Sequence, residues 1–518
     1  MKLWRKVVTA GAAIAIVCLA SVLIMMPYLR PQPFGRAALG CGCIAIVLGG
    51  RGIWLRPGWH FLAVPFTGLL ILPGLVITNH FGNFDLISVI HHLGYEGGGP
   101  DMRAFAFEIQ DGVLAIACFA LAIYWLRNLF QGAGFWYYLA ALFIGVINPM
   151  SMSLLLAGFA PKADFDLSAQ LVVPVTSRPA SRPDIIMIYL EGLDRRFADT
   201  ARYGAAYAGL LPLQSAGLDL TRVGQIAGTG WSLAGVVATQ CGLPLLPNGM
   251  RAHNGFEDQT KFMASQICLG DVAAGYGYQS SYIVGASAGF AGQDHFVRSH
   301  RYQHIIDSDV LAESYDGSEL AKAYEPRLHT YDDQLVFDAA RRHYDSLVAG
   351  NDPLLMSVMT FGPHGTSGIL SRHCRADGQA RYSADLRQTV ACSISDMLPF
   401  LDHIRTRRAG RPTLVVVMSD HLNHKRDLFA PAMHMNTVTF LGYGIAGFPA
   451  GQENTRAAAM IDVYPTVLAL SGFAQPDVAA GLGRSVLGNG PTLVEQYGIA
   501  VLDRALETDL DLRLALWR

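Results

Sequence analysis

Five charge-poor apolar runs crowd into the first 160 residues: Val7 to Leu29, Ala37 to Gly50, Phe61 to Thr78, Gly112 to Leu126 and Phe135 to Phe159. About 20 apolar residues cross a bilayer's hydrocarbon core, so the first and last runs suffice as spans alone and the three between are read as a set. The second is the weakest, thinned by Gly40, Gly42, Gly49 and Gly50. Five transmembrane helices are therefore expected over 1–160. A cleaved signal peptide would need a small-residue site after the first run, and Pro27, Tyr28 and Leu29 stand there instead.

Loop charges orient the spans. With the N-terminus inside, cytoplasmic loops carry Lys2, Arg5, Lys6, Arg51, Arg56 and Arg127, against Arg30, Arg36 and Arg103 on the far side. That asymmetry follows the positive-inside rule and makes everything after Phe159 extracytoplasmic. Only 15% of residues are charged, the net charge is −2 and no Lys/Arg-rich stripe occurs. Nucleic acid is not an expected partner, because binding it requires cationic side chains arrayed against phosphates. The spans hold almost no ionisable residues, which argues against a transporter.

Of the cysteines, Cys18, Cys41, Cys43 and Cys118 lie in apolar runs, where thiols behave as small apolar groups. Cys241, Cys268, Cys374 and Cys392 lie in the extracytoplasmic part, an even number in a compartment that permits disulfides. Chain order suggests Cys241 with Cys268 and Cys374 with Cys392, one of three pairings that four cysteines allow. A zinc site is disfavoured, since these four contain no Cys-x-x-Cys.

Residues 161–183, with Ser177-Arg178-Pro179-Ala180-Ser181-Arg182-Pro183, read as a linker, and 184–518 as the extracytoplasmic domain. Asp184 to Leu190, Leu354 to Thr360, Leu414 to Met418 and Thr437 to Leu441 are apolar runs of strand length. Helical patterns over Tyr331 to Leu347, Ala384 to Arg405 and Ala458 to Leu470 alternate with them. The expected class is α/β, with helices on both faces of a mostly parallel sheet.

In such sheets ligands collect beyond the carboxyl ends of the strands. Glu191-Gly192-Leu193-Asp194, Phe361-Gly362-Pro363-His364-Gly365 and Ser419-Asp420-His421 follow three of these runs. Glu191, Asp420 and His421 together offer two carboxylates and an imidazole to a divalent cation. Each taken singly is about as readily a helix cap or a local hydrogen-bonding group. Ser232 follows the glycine turn Gly228-Thr229-Gly230-Trp231 and opens an apolar helical pattern. A hydroxyl there suits a nucleophile held where helix N–H groups meet an anion, and equally an ordinary serine N-cap. Thr229 is the rival hydroxyl.

Together, Glu191, Gly228 to Ser232 and Ser419-Asp420-His421 resemble the sulfatase-like branch of the alkaline phosphatase superfamily. The strings Tyr189 to Arg195, Gly228 to Pro244, Ile267 to Asp271 and Gly481-Leu482-Gly483-Arg484-Ser485 look most like the periplasmic phosphoglycerol transferases of osmoregulated glucan synthesis. The resemblance covers roughly Asp184 to Ser485 and implies an alkaline-phosphatase-like α/β domain. It implies metal ligands Glu191, Ser232, Asp420 and His421 for one divalent cation, manganese first with magnesium or zinc as alternatives. It also implies Ser232 as nucleophile and His364 and Gln293 at the substrate, and its cysteine pattern matches the pairing above. In Phe290-Ala291-Gly292-Gln293-Asp294 the aromatic and arginine grip of lipoteichoic acid synthases is missing, and no sulfatase C/S-x-P-x-R motif occurs.

The implied reaction moves glycerol phosphate from phosphatidylglycerol to a periplasmic glycan, at a multi-pass bacterial inner-membrane protein whose catalytic domain faces the periplasm. A phosphoethanolamine transferase and a non-catalytic membrane scaffold are the competing readings. The topology is directly testable. A reporter that is active only outside the cytoplasm should be active when fused after Phe159 and inactive near Arg56; the reverse pattern would overturn the orientation.

Overall fold

The apolar runs after the linker become the centre of one mixed sheet. The computed structural model describes residues 165–246, 261–326, 328–365, 368–376, 379–408, 410–423 and 435–517. The strands of the main sheet, in chain order, are β1 (Asp184–Leu190), β2 (Leu218–Gly224), β3 (Gln279–Val284), β4 (His304–Ile306), β5 (Leu354–Met359), β6 (Thr413–Ser419), β7 (Asn436–Tyr443), β8 (Gln452–Asn454) and β9 (Ala458–Ala459). Among the described residues these nine strands run in the order β8-β2-β7-β6-β1-β5-β3-β4, with β9 also on β2. Most pairs are parallel. β7 is antiparallel to both its neighbours, β6 and β2.

The principal helices are α1 (Ser232–Cys241), α2 (Leu269–Gly275), α3 (Gln293–Ser299), α4 (Asp333–Val348), α5 (Leu386–Arg407) and α6 (Val463–Leu470). β1 is wholly buried because both sheet faces are covered. Ile185, Met187 and Tyr189 join the apolar core that contains α1, α2, α3 and α6. Ile186 and Ile188, equally buried, point to the opposite face by strand alternation. On that side α4 packs on β5, β3 and α5. Each such side chain contributes about 1.5–3 kcal/mol by leaving water.

All four expected strands are present within a residue or two of their predicted ends. β2 and β3 were not predicted, because their periodicity is masked by polar residues that find partners only in the fold. In β2, Asp219 pairs with Arg195 and accepts the Thr439 hydroxyl at 2.8 Å. In β3, Ser280 donates to the Arg301 carbonyl at 3.0 Å and Ser281 bonds His343 at 2.7 Å. The predicted helix over Ala458 to Leu470 divides into β9, a tight turn at Met460–Asp462 and α6.

The described part of the predicted linker lies along the domain as an extended strap. Phe165 stacks on Tyr497 with ring centroids 3.8 Å apart, Leu167 is fully buried, and Val172 exchanges backbone hydrogen bonds with Gly481. The five expected spans over 1–160 lie outside the described residues; among the described residues no helix is long and apolar enough to cross a membrane.

Both expected disulfides form, Cys241–Cys268 and Cys374–Cys392. The first joins the end of α1 to the residue before α2 across 27 positions. A closed loop of that length contributes about 3 kcal/mol by restricting the unfolded chain. Replacing Cys241 and Cys268 together by serine should lower the thermal midpoint of the full chain by about 5–10 °C; an unchanged midpoint would count against that contribution.

Candidate active site

β1 and β6 pair in parallel with Leu190 opposite Ser419, so the next residues, Glu191 and Asp420, leave the sheet side by side. The ladder continues past the strands. Asp420 N–H donates to the Leu190 carbonyl at 3.4 Å, and Thr360 N–H, at the end of β5, to the Tyr189 carbonyl at 3.0 Å. The Glu191 N–H in turn donates to Thr360 Oγ1 at 3.0 Å.

Asp420 is fully buried. Its Oδ1 accepts the N–H groups of Gly192 at 2.9 Å and His421 at 2.8 Å. Among the described residues its Oδ2 accepts no hydrogen bond, and it faces His421 Nε2 at 3.3 Å. The same Nε2 lies 3.2 Å from Glu191 Oε1. His421 Nδ1 is 2.8 Å from the Leu422 carbonyl, which can only accept, so Nδ1 carries the proton and donates. In the neutral ring that leaves Nε2 as a lone-pair ligand aimed between two carboxylates.

α1 delivers the fourth group. Its N-cap is Trp231, with extended backbone and no side-chain cap bond, so Ser232 is the first helical residue and not the cap. The Ser232 hydroxyl reaches Glu191 Oε2 at 3.5 Å, long for a hydrogen bond. Thr229, the rival, is fully buried and locks the preceding turn, donating to the Ile226 carbonyl at 2.7 Å and accepting its N–H at 3.1 Å. Gly228 adopts φ +77° there, a conformation that suits glycine.

The donor set fits a divalent cation. Ligands at roughly 2.1 Å in a tetrahedral arrangement lie about 3.4 Å from one another, and the separations here are 3.2, 3.3 and 3.5 Å. Electrostatics agree. Burial, then the charge of Asp420, push the Glu191 carboxyl up to about 7. Burial alone would lower His421, but the Asp420 and Glu191 carboxylates outweigh it and push the imidazole up to about 10. Buried negative charge in excess thus retains protons that a cation would displace.

The other two predicted site residues are placed differently. His364 is half-buried in the turn after β5, its ring stacked on Phe361 at 5.3 Å. That turn is held by Asp333, at the start of α4, which accepts the N–H groups of Phe361 at 2.7 Å and Gly362 at 3.0 Å and the Ser393 hydroxyl at 2.7 Å. Gln293 is 2% exposed and its Oε1 accepts the Tyr282 hydroxyl at 2.9 Å. Sequence reasoning missed Thr360, Asp333 and Gly235. The signal for Gly235 is a glycine one turn into an otherwise apolar helix; a Cβ there would sit 1.8 Å from the Asp420 carbonyl oxygen.

The Sulfatase family matches residues 232–473. Over 314 residues the chain is 30% identical to the Phosphoglycerol transferase I of Xanthomonas campestris pv. campestris, covering 60% of this chain and 43% of that protein. Over 363 residues it is 28% identical to the protein of the same name from Escherichia coli, covering 68% and 45%. The chain thus spans less than half the length of these curated relatives. A crystal structure of a protein in the alkaline phosphatase superfamily from Vibrio parahaemolyticus superposes with a TM-score of 0.48 at 18% identity, covering 72% of this chain and 97% of that one.

The contact between α1 and the end of β6 admits no side chain at position 235. Gly235→Ala should cost about 2 kcal/mol of stability by overpacking and should weaken divalent-cation binding by moving Ser232 away from Glu191. A variant that keeps both its thermal midpoint and its cation affinity would refute this dependence.

Proposed function

We propose that this chain is a phosphoglycerol transferase working through a covalent serine ester, a reading supported by the match of residues 232–473 to the Sulfatase family and by relatives named Phosphoglycerol transferase I. The observation that carries the reading is the placement of Ser232. Its hydroxyl opens a ten-residue helix and stands 3.5 Å from Glu191, beside two further groups of ligand type and spacing. A scaffold without chemistry has no use for such a buried, charge-excessive cluster. The name of the curated relatives supplies the transferred group, phosphoglycerol; the donor in this proposal is an anionic phospholipid such as phosphatidylglycerol and the acceptor a periplasmic glycan hydroxyl.

Glu191, Asp420, His421 and Ser232 would hold one divalent cation, with manganese the first candidate and magnesium or zinc the others. When bound, it supplies the positive charge that lowers the serine hydroxyl's pKa and offsets charge on the phosphoryl oxygens. Ser232 Oγ attacks phosphorus; the bond from phosphorus to the diacylglycerol oxygen breaks, and that oxygen leaves with a proton as diacylglycerol. Glycerophosphoryl-Ser232 remains. The N–H groups at the start of α1 face the transferring anion, and the helix dipole favours its charge. An acceptor hydroxyl then attacks the same phosphorus, the bond from phosphorus to Ser232 Oγ breaks, and the proton given up by the acceptor restores Ser232 as the alcohol. His364, on the turn that Asp333 holds, is the group assigned to the glycerophosphate head. Membrane spans over 1–160 and a periplasmic domain from 184 onward would keep this site near its lipid donor, raising the donor's effective concentration.

Full-length protein exposed to phosphatidylglycerol without acceptor should show a glycerophosphate adduct on the peptide containing Ser232. Ser232→Ala should lose the adduct and reduce transfer on the order of a thousandfold, whereas Ser232→Thr should keep part of it. An adduct on Thr229, or full activity in Ser232→Ala, would sink the assignment. Phosphatidylethanolamine serving as donor in place of phosphatidylglycerol would reassign the head group.

A further inference from the structure

We infer that Gln225 is a positioning residue of the candidate cation site, holding His421 and the turn before Ser232 in a single register. This rests on the reading of Glu191, Asp420 and His421 as cation ligands. Gln225 directly follows β2, two strands away from β6 in the sheet, yet its carboxamide reaches the residue after His421. The Leu422 N–H donates to Gln225 Oε1 at 2.8 Å. The Leu422 carbonyl accepts from His421 Nδ1 at 2.8 Å. One residue's two peptide groups therefore connect Gln225 to the imidazole: Gln225 anchors Leu422 through its N–H, and the Leu422 carbonyl holds Nδ1 as a donor with Nε2 turned toward Glu191 and Asp420.

The same carboxamide borders the nucleophile's turn. Since Oε1 must face the Leu422 donor, the amide's orientation is decided by its partner, and Nε2 lies on the other side, against Gly230. A Cβ at Gly230 would come within 2.9 Å of Nε2. A side chain at 230 would displace the Gln225 carboxamide. Gln225 thus sits between the segment that carries His421 and the turn that carries Ser232, bonded to one and packed on the other.

The test is manganese binding by the full chain, measured by titration with Mn²⁺ alone, alongside the thermal midpoint in chelator. Gln225→Met keeps length and volume but loses the acceptor; Gln225→Glu keeps the acceptor oxygen. We expect Gln225→Met to raise the Mn²⁺ dissociation constant about tenfold, as loss of a group orienting a ligand does, with the chelator midpoint unchanged. Gln225→Glu should return affinity to within about threefold of the parent. Unaltered affinity in Gln225→Met overturns the inference, as does a loss shared equally by both variants together with a lowered midpoint, which would make Gln225 a packing residue. A parent chain that itself binds no Mn²⁺ overturns the cation reading and this inference with it, a result distinguishable from the other two.

Discussion

The in-register parallel pairing of β1 with β6 is the constraint on which the site depends. It sets Leu190 against Ser419, so the chain delivers a carboxylate from each strand end at the same height, and the following N–H groups bond across the gap. A shift of one residue would turn one of the two side chains to the opposite face of the sheet. β1 is central, flanked by β6 and β5, so its register is enforced from both sides. The third loop, after β5, joins through Thr360, whose hydroxyl holds the Glu191 backbone.

Charge then explains why these residues tolerate so little change. Two carboxylates and an imidazole are buried to within 2% exposure, where desolvation is severe and mutual repulsion weakly screened. The protein offsets part of that cost locally, giving Asp420 Oδ1 two N–H donors, while leaving Oδ2 without any among the described residues. Buried carboxylates crowded around one imidazole are unfavourable for stability and favourable for a cation. The destabilisation is located where the chemistry would occur.

The helix that opens with Ser232 is held along its length. At its start, Gly235 abuts the Asp420 carbonyl. In its middle, Thr239 bonds Tyr189 of β1 at 2.9 Å. At its end, Cys241 is bonded to Cys268 and the Gly242 carbonyl accepts the Leu482 N–H at 2.8 Å. Leu482 lies in the Gly481 to Ser485 string, where Gly481 also pairs with the strap at Val172. Arg484 donates to the strap's Gln170 carbonyl at 3.4 Å.

Much of this was legible in the residues themselves. The buried strands could be read because a strand covered on both faces must be apolar without interruption, and Asp184 to Leu190 and Thr413 to Ser419 nearly are. The polar residues directly beyond those strands, Glu191, Asp420 and His421, stood out because chain order alone places them at strand ends. Ser232 stands out against its glycine turn, but the sequence does not say whether it caps the helix or faces the cluster, since both uses need the same residue at the same place. Gln293 carried a motif position into the core. Only the tertiary structure decided the strand register, the capping by Trp231, the burial of Thr229 and the parts played by Thr360, Asp333, Gly235 and Gln225. Each depends on atoms brought together from tens to hundreds of positions apart, or, for Trp231 and Thr229, on backbone angles that the surrounding packing selects. Local composition determines which segments must be buried and which groups can do chemistry; distance and direction between those groups exist only once the chain has closed on itself.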